Sequence, residues 1–257
     1  MELRQERIAF PIGGTFRILH ISDVHFSKQT THEHNQRVTG DILEVCRSCE
    51  KADAICVTGD LVSRHYTLLS QFDGLHLLER LREIAPVFYS LGNHEMDWAQ
   101  EERAKFIKAA QKCGITVLDN ESAELGGIRF TGLTVPQTVF KNPGGHYWDL
   151  TPVTEPLIGR LVGNKGDLPT VLLAHTPLGL SGYAAWGAEA VLSGHVHGGI
   201  VRVGNTGLLS PERRFLPKFT KGLYREGACT MNVSAGIGKF RLNNPAEVVC
   251  VELGKHL

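Results

Sequence analysis

Side chains that could bind a metal ion or move a proton follow five apolar segments of this sequence. These side chains are Asp23, His25, Asp60, Asn93, His94, His175, His195 and His197. Imidazole suits zinc, iron and related ions, whereas carboxylate and amide oxygens suit manganese and magnesium. The set therefore predicts a site for divalent metal ions, provided that the fold brings the five segments to one place.

The elements that could do this are predicted in the first half of the chain, where strands alternate with helices. Apolar runs predict strands at 16–22, 52–59 and 86–92. Apolar residues at helical spacing predict helices at 35–49, 73–84 and 98–112. A repeating strand–helix unit implies a parallel sheet, and ligands bind at the carboxyl ends of the strands in such sheets. The candidate ligands stand directly after the strands, so we expect them to converge.

The second half predicts a different pattern, with many short strands. They lie near 115–118, 122–125, 128–134, 170–175, 189–193, 199–203, 206–209, 222–225, 228–234 and 246–252. Helices are predicted at 152–162 and 177–185, and the Pro/Gly-rich segment 136–149 predicts a long loop, which is often a functional feature. We expect a mixed α/β protein with two packed sheets, organised as a single domain over residues 1–257.

Two pairs of candidate ligands are separated by one residue each, Asp23 with His25 and His195 with His197. In an extended segment such residues point the same way, so we expect each pair to contact metal from one side. A single HxH or Gly-Asp motif is common in proteins without any metal. Five ligand-type segments in order, each after an apolar strand, are a far more specific signal.

The charge balance argues against a protein that grips long nucleic acid. Lys plus Arg and Asp plus Glu are 27 each, so the formal net charge is zero, whereas nucleic-acid-binding proteins usually carry a basic excess. Residues 1–10 are rich in charge and no apolar segment of signal-peptide type follows them. No apolar run approaches the length of a membrane span. We expect a cytoplasmic protein, with or without peripheral association to a membrane.

The six cysteines include one CxxC motif, formed by Cys46 and Cys49. Both fall on the apolar stripe of the helix predicted at 35–49, which favours buried small hydrophobic residues. A zinc or redox role is the alternative.

The ordered segments SDVH, TGD, GNHE, AHTP and GHVHGG resemble the calcineurin-like metallophosphoesterase family over residues 16–200. GHVHGG, the loop SPERRFLPKFTKGLY and the segment MNVSAGIG are together similar to the YkuE/YaeI-like bacterial phosphodiesterase subgroup. The resemblance implies a four-layer α/β/β/α fold, in which two mixed sheets pack as a sandwich flanked by helices. It also implies two divalent metal ions, which could be Mn, Fe, Zn, Ni or Co.

The resemblance further implies a role for each candidate residue. The ligands of the first metal would be Asp23, His25 and His197. The ligands of the second metal would be Asn93, His175 and His195. Asp60 would bridge both metals, and His94 would sit beside them without ligating. A hydroxide between the metals would attack phosphorus, and protonated His94 would act as general acid toward the leaving oxygen.

The expected activity is that of a phosphodiesterase or pyrophosphohydrolase. A phosphomonoesterase acting on small molecules or phosphoproteins is one alternative, and a non-catalytic scaffold of the same fold is another. All seven ligand positions and His94 are present, which argues against the scaffold. Family members often read GDxxDRG after the second strand, but here Ser63 replaces the second Asp and His65 the second Gly. This departure weakens the likeness to protein Ser/Thr phosphatases.

Loops around the metals are expected to select the substrate. The candidates for substrate binding are Arg64, His65, His34 and Arg213. Arginine can bind a phosphate with two hydrogen bonds, which is why the two arginines are included. The expected partner is a small-molecule or lipid-linked phosphoester.

Overall fold

The computed structural model of the chain describes residues 1–199, 201–203, 206–209, 217–238 and 243–255. Its framework is two six-stranded sheets. The first sheet has the spatial order β1 (Glu2–Ala9), β14 (Glu247–Gly254), β2 (Thr15–Ile21), β3 (Ala54–Thr58), β4 (Val87–Ser90) and β5 (Thr116–Val117). The second has the order β12 (Gly222–Glu226), β13 (Cys229–Val233), β9 (Ala190–Ser193), β8 (Thr170–Ala174), β7 (Ile128–Leu133) and β6 (Ser122–Leu125). A separate hairpin comprises β10 (Val201–Val203) and β11 (Thr206–Leu209).

Both large sheets are mixed. In the first, all neighbouring strands run parallel except β14 and β2. In the second, β13, β9, β8 and β7 run parallel, and the edge strands β12 and β6 pair antiparallel. The helices are α1 (His32–Ser48), α2 (Leu68–Arg82), α3 (Asn93–Met96), α4 (Gln100–Lys112), α5 (Glu155–Val162) and α6 (Leu180–Trp186). Two 3₁₀ turns lie at Gln137–Val139 and Pro177–Gly179.

Three apolar clusters join these elements into layers. Along β3, Ala54 and Cys56 face the second sheet, whereas Ile55 and Val57 pack against α1, α2 and α4. This alternation follows from the two-residue period of a strand. The outer face of the second sheet is covered in the same way by α5 and α6. The predicted fold of four layers, with two mixed sheets packed as a sandwich between helices, is therefore confirmed.

Several predicted bounds were wrong for local reasons. Strand β1 was not predicted, because its sequence ELRQERIA is mostly polar and its partner β14 comes from the other end of the chain. Helix α1 begins three residues earlier than predicted, since Thr31 caps it by accepting the His34 N–H. Helix α2 begins at Leu68 rather than 73, where Thr67 and Ser70 form a capping box.

The end of the third predicted strand matters most for the site. Strand β4 ends at Ser90 rather than 92, and the short helix α3 begins at Asn93. The helix predicted at 177–185 starts as a 3₁₀ turn and continues as α6, and the predicted loop 136–149 contains the other 3₁₀ turn. The remaining predicted bounds agree to within about three residues, the usual uncertainty of helix and strand ends.

None of the described helices could span a bilayer, since the longest, α1, has 17 residues and carries charges along its length.

Cys46 is buried in the cluster beneath α1. Cys49 is half-buried, and its Sγ lies 3.0 Å from Cys250 Sγ. The cysteines of the CxxC motif therefore face different neighbours.

Candidate metal centre

The candidate ligands lie at the carboxyl ends of central strands from both sheets. They follow β2 (Asp23 and His25), β3 (Asp60), β4 (Asn93), β8 (His175) and β9 (His195 and His197). The described residues include three groups that could each hold a metal ion. Within each group, the donor atoms lie within 4.8 Å of one another. The groups are Asp23–His25–His197, His25–Asp60–His94 and Asp60–His175–His195. The strands of the two sheets thus converge at one centre, as their order in the sequence predicts.

Asp60 is the member that connects the groups. Its Oδ2 lies 3.7 Å from His25 Nε2 on one side and 3.3 Å from His175 Nε2 on the other. Asn93 and Asp60 line one cleft in the surface of the protein. The buried Oδ1 of Asn93 has no hydrogen-bond partner in the part of the chain that the structure describes. The fold therefore places all seven candidate ligands around one space.

Five of the seven candidate ligands have a left-handed backbone. The φ angle lies between 51° and 69° at Asp23, His25, Asp60, His195 and His197. Such angles are uncommon for residues with a Cβ atom, and Asp, Asn and His tolerate them best. The Asp-x-His and His-x-His segments are therefore not extended, and the alternation of side chains in an extended segment does not apply to them. Each left-handed residue costs on the order of 1–3 kcal/mol and persists only when its surroundings hold it.

The buried carboxylate of Glu95 provides part of that support. Its Oε2 accepts hydrogen bonds from the N–H groups of Asp60 and Gly92, both at 2.9 Å, and its Oε1 accepts one from Val62 at 3.0 Å. Burial and the Asp60 carboxylate raise the pKa of Glu95 to about 7, although the hydrogen bonds from Val62 and Gly92 oppose this shift. Glu95 thereby holds the turn after β3 against the turn that enters α3.

The same two turns approach each other so closely that they need glycine. A Cβ atom on Gly92 would lie 2.3 Å from Asp60 Oδ1, and one on Gly59 would lie 2.4 Å from Gly92 N. The main chain can pass here only because neither residue has a side chain. Asp60 is then fixed from the other side, because its Oδ1 accepts the His94 N–H at 2.8 Å.

Asp23 is held by the turn after β9 and by the segment after β13. The His195 N–H lies 3.0 Å from Asp23 Oδ2, and the Gly238 N–H donates to the Asp23 carbonyl at 2.7 Å. Burial opposes ionisation of this carboxyl group, but His197 and His175 hold its pKa well below the usual value. Burial likewise opposes ionisation of Asp60, whose pKa is held low by His175 and His94. Both carboxyl groups are therefore negatively charged at neutral pH, as candidate metal ligands should be.

His175 is oriented for a cation by its own hydrogen bond. Its Nδ1 lies 2.7 Å from the Thr58 carbonyl oxygen, so Nδ1 carries a proton and Nε2 faces the carboxylates. Burial opposes protonation, yet Asp60 and Asp23 raise the pKa of His175 to about 9. The buried Nε2 lies 3.3 Å from Asp60 Oδ2. A positive charge is thus favoured at this atom, and a divalent cation would supply it.

These observations show that the residues fit a metal. Two ionised carboxylates, several imidazole nitrogens and the amide oxygen of Asn93, which has no hydrogen-bond partner among the described residues, surround one space. Mixed oxygen and nitrogen donors of this kind suit divalent transition metals. Burying two carboxylates without a cation would be costly.

His94 has a defined tautomer. The Arg64 N–H donates to His94 Nδ1 at 3.1 Å, and Ser63 Oγ lies 3.2 Å from the same atom. Because Nδ1 accepts a backbone hydrogen bond, the proton of the neutral ring is on Nε2, which lies 3.7 Å from Asp60 Oδ2. His94 therefore presents an N–H group toward the centre.

The cleft above the centre has a volume of about 120 Å³ and is lined on one side by Arg64, Lys141 and Tyr147. Of the predicted substrate-binding residues, Arg64 alone is among the residues described around this cleft. His34 and His65 are exposed and are not among the residues that line the cleft. Arg213 lies outside the described residues.

A sequence model of the calcineurin-like phosphoesterase family matches residues 16–199. The chain belongs to this family. The matched range begins at β2 and contains the seven candidate ligands of this phosphoesterase together with His94. The family membership and the clustered Asp and His residues make it a metal-dependent phosphoester hydrolase.

Two curated relatives support the predicted subgroup of this phosphoesterase. Phosphodiesterase YaeI of Escherichia coli (strain K12) is 28% identical over 263 residues, which cover 98% of this chain and 88% of YaeI. Metallophosphoesterase YkuE of Bacillus subtilis (strain 168) is 26% identical over 231 residues, which cover 88% of this chain and 73% of YkuE. The crystal structure of TT1561 from Thermus thermophilus superposes on this chain with a TM-score of 0.55 and 14% sequence identity. The alignment covers 87% of this chain and 90% of TT1561, and at this identity it supports the fold alone.

Sequence reasoning missed several residues that shape the site of this phosphoesterase. Sequence reasoning assigned no structural role to Glu95. Lys141 and Asp97, whose ion pair joins residues 44 positions apart, were not considered. A lone lysine in a predicted loop gives no signal of its partner, so only the fold could reveal this contact.

Proposed function

We propose that this phosphoesterase hydrolyses phosphodiesters or pyrophosphates at a centre of two divalent metal ions. The proposed ligands are Asp23, His25 and His197 for one metal, and Asn93, His175 and His195 for the other, with Asp60 between them. The observation that supports this most directly is the position of Asp60 Oδ2, within 4 Å of imidazole nitrogens from both ligand sets. A carboxylate is the natural group to share between two cations.

We also propose that both sheets form one domain, since one apolar cluster joins their facing strands.

Bound divalent ions would neutralise the phosphoryl oxygens and lower the pKa of a water molecule that attacks phosphorus. The chain's own contribution beyond the ligands is His94. Its Nε2–H faces the centre, and we propose that it donates a hydrogen bond to the leaving oxygen as negative charge develops there. Because this role is a hydrogen bond rather than a complete proton transfer, we expect a contribution near the lower end of general acid catalysis, roughly 10²-fold in rate.

The preference for diesters rests on the relative YaeI, whose name is that of a phosphodiesterase and whose length this chain covers to 88%. The absence of the second Asp of GDxxDRG supports the same preference, since Ser63 stands beside His94 instead of a carboxylate. This departure weakens the likeness to the protein Ser/Thr phosphatases, whose substrates are phosphomonoesters.

The test is a comparison of substrates on protein that has been stripped of metal and reconstituted. The substrates are bis(p-nitrophenyl) phosphate, p-nitrophenyl phosphate and a soluble pyrophosphate diester, each assayed with Mn²⁺, Fe²⁺, Zn²⁺, Ni²⁺ or Co²⁺. We expect metal-dependent release of product from a diester. Faster hydrolysis of the monoester would replace the proposal by a phosphomonoesterase. No hydrolysis with any of these metals would refute it.

A further inference from the structure

Two cationic side chains at the rim of the cleft share one carboxylate. Arg64 Nη1 lies 2.8 Å from Asp97 Oδ2, and Lys141 Nζ lies 2.8 Å from Asp97 Oδ1. Arg64 follows β3, whereas Lys141 comes from the loop after β7, so Asp97 joins two separate segments. The side chains of Arg64 and Lys141 are about one-third exposed, at 33% and 34%. Both side chains also line the cleft, so a ligand bound there could contact them.

The segment that carries Lys141 is fastened to the metal centre at two points. Gln137 Nε2 donates a hydrogen bond to the Asn93 carbonyl at 2.6 Å. The ring of Phe140, which precedes Lys141, packs edge-on against His195 with 4.8 Å between ring centroids. Asp97 itself follows α3 directly. Lys141 is thus held in the wall of the cleft that contains the proposed ligands, rather than on a distant loop.

The charges in this cluster do not cancel. One carboxylate faces two cations, so the three side chains carry a net charge of about +1 at neutral pH. An exposed ion pair alone stabilises a fold by only about 0–1 kcal/mol, so structural support is a weak reason for such a cluster. Holding two long side chains in place lowers the entropy that they lose when an anion binds. Arginine and lysine together are suited to the oxygens of a phosphate.

We propose that Lys141, positioned by Asp97 beside Arg64, binds a second phosphate group that is joined to the scissile one through a bridging oxygen. The substrate class is then a pyrophosphate diester. In the reaction, the oxygen of water forms a bond to one phosphorus and the bridging P–O bond breaks. The two protons of the water pass to the two phosphate monoesters that result. This inference rests on the proposed function, because it concerns the substrate of the same centre.

The test compares two substrates that differ by a single phosphate. They are the p-nitrophenyl esters of thymidine 5′-monophosphate and of thymidine 5′-diphosphate, with products separated by ion exchange so that cleavage at either phosphorus is counted. The variants are Lys141→Met, which removes the charge but keeps an unbranched side chain, and Lys141→Arg, which keeps the charge. Lys165→Met is the matched control, because Lys165 is also ion-paired but precedes β8, at the opposite end of that strand from His175.

We expect the wild-type KM to be at least about tenfold lower for the diphosphate ester, as one charge-assisted hydrogen bond would provide. Lys141→Met should remove this difference, because the KM for the diphosphate ester should rise more than the KM for the monophosphate ester, while metal content stays unchanged. Lys141→Arg should retain most of the difference, and Lys165→Met all of it.

Equal wild-type KM values for the two esters would overturn the inference. So would a Lys141→Met variant that weakens both esters alike, which would indicate a structural role. In either case, metal-dependent hydrolysis would leave the proposed function standing. A failure of the proposed function is distinct, because the wild-type protein would then release no product from either ester with any divalent metal, and both proposals would fall.

Discussion

Replacing Gly92 by alanine should damage the metal centre without disturbing the backbone preference of the turn. Gly92 has φ −100° and ψ −179°, an extended conformation that alanine adopts readily. Its N–H would remain available to Glu95 Oε2. The only direct change is the added methyl group, which would lie 2.3 Å from Asp60 Oδ1 and 2.4 Å from Asp60 N.

The size of the effect follows from that overlap. An ordinary non-bonded contact is roughly 3.5 Å, so the methyl group or the Asp60 carboxylate must move by about 1 Å. Overpacking of this kind costs about 1–3 kcal/mol of stability. A misplacement of about 1 Å in a catalytic centre can reduce the rate by roughly 10²-fold. We therefore expect modest destabilisation, weaker metal binding and a large loss of turnover.

The assay combines chemical unfolding, metal content and hydrolysis of bis(p-nitrophenyl) phosphate. The matched control is Gly40→Ala, because Gly40 lies on the exposed face of α1 and an added Cβ would meet nothing within 4 Å. This substitution should stabilise the protein by about 0.5–1 kcal/mol and leave turnover unchanged. If Gly92→Ala retained wild-type metal content and turnover, Asp60 would not be held as the structure indicates, and the reasoning would be refuted.

Three further predictions concern His94, His20 and the metals. His94→Ala should lower kcat by roughly 10²-fold with metal content unchanged, and loss of metal in this variant would make His94 a ligand instead. Burial lowers the pKa of His20 from 6.5 in the unfolded chain to about 3 in the folded protein. Between these two pH values the unfolded chain binds more protons than the folded protein. The free energy of unfolding therefore falls as the pH drops from 6.5 to 3. Near pH 5 this loss should be about 2 kcal/mol relative to pH 7, and urea titrations of His20→Gln should show a shallower dependence. Chelation should lower the unfolding temperature by roughly 5–10 °C, with recovery on addition of Mn²⁺; no change in a thermal melt would contradict a structural contribution of metal.

The order of the apolar segments predicted a mixed α/β protein with two packed sheets and the convergence of the candidate ligands, whereas the four-layer arrangement was implied by the resemblance to the family. Apolar strands that end in Asp, Asn or His determine which edge of each sheet carries chemistry. The sequence did not reveal how the ligands turn inward. Asp23 and His25 looked like an extended pair, yet both have left-handed backbones, because hydrogen bonds from distant segments such as Gly238 hold the turn.

Contacts between distant segments account for the other omissions. The role of Glu95 depends on N–H groups more than 30 positions earlier, in the turn after β3. Lys141 and Asp97 are likewise paired by the folding of a loop onto α3. Neither local propensity nor residue spacing carries such information, whereas the cap at Thr31 could have been predicted from its position before α1.

The central claim is that Asp60 joins two metals in one hydrolytic centre. The most direct test is to reconstitute the wild type and Asp60→Asn with Mn²⁺, then measure bound metal by mass spectrometry together with hydrolysis of bis(p-nitrophenyl) phosphate. Asparagine suits the left-handed φ of 52° at this position, so the variant should fold. We predict about two Mn²⁺ per wild-type chain, at most about one in Asp60→Asn, and a loss of turnover of at least roughly 10²-fold. An Asp60→Asn protein with the metal content and turnover of the wild type, or a wild-type protein that is active without metal, would contradict the claim.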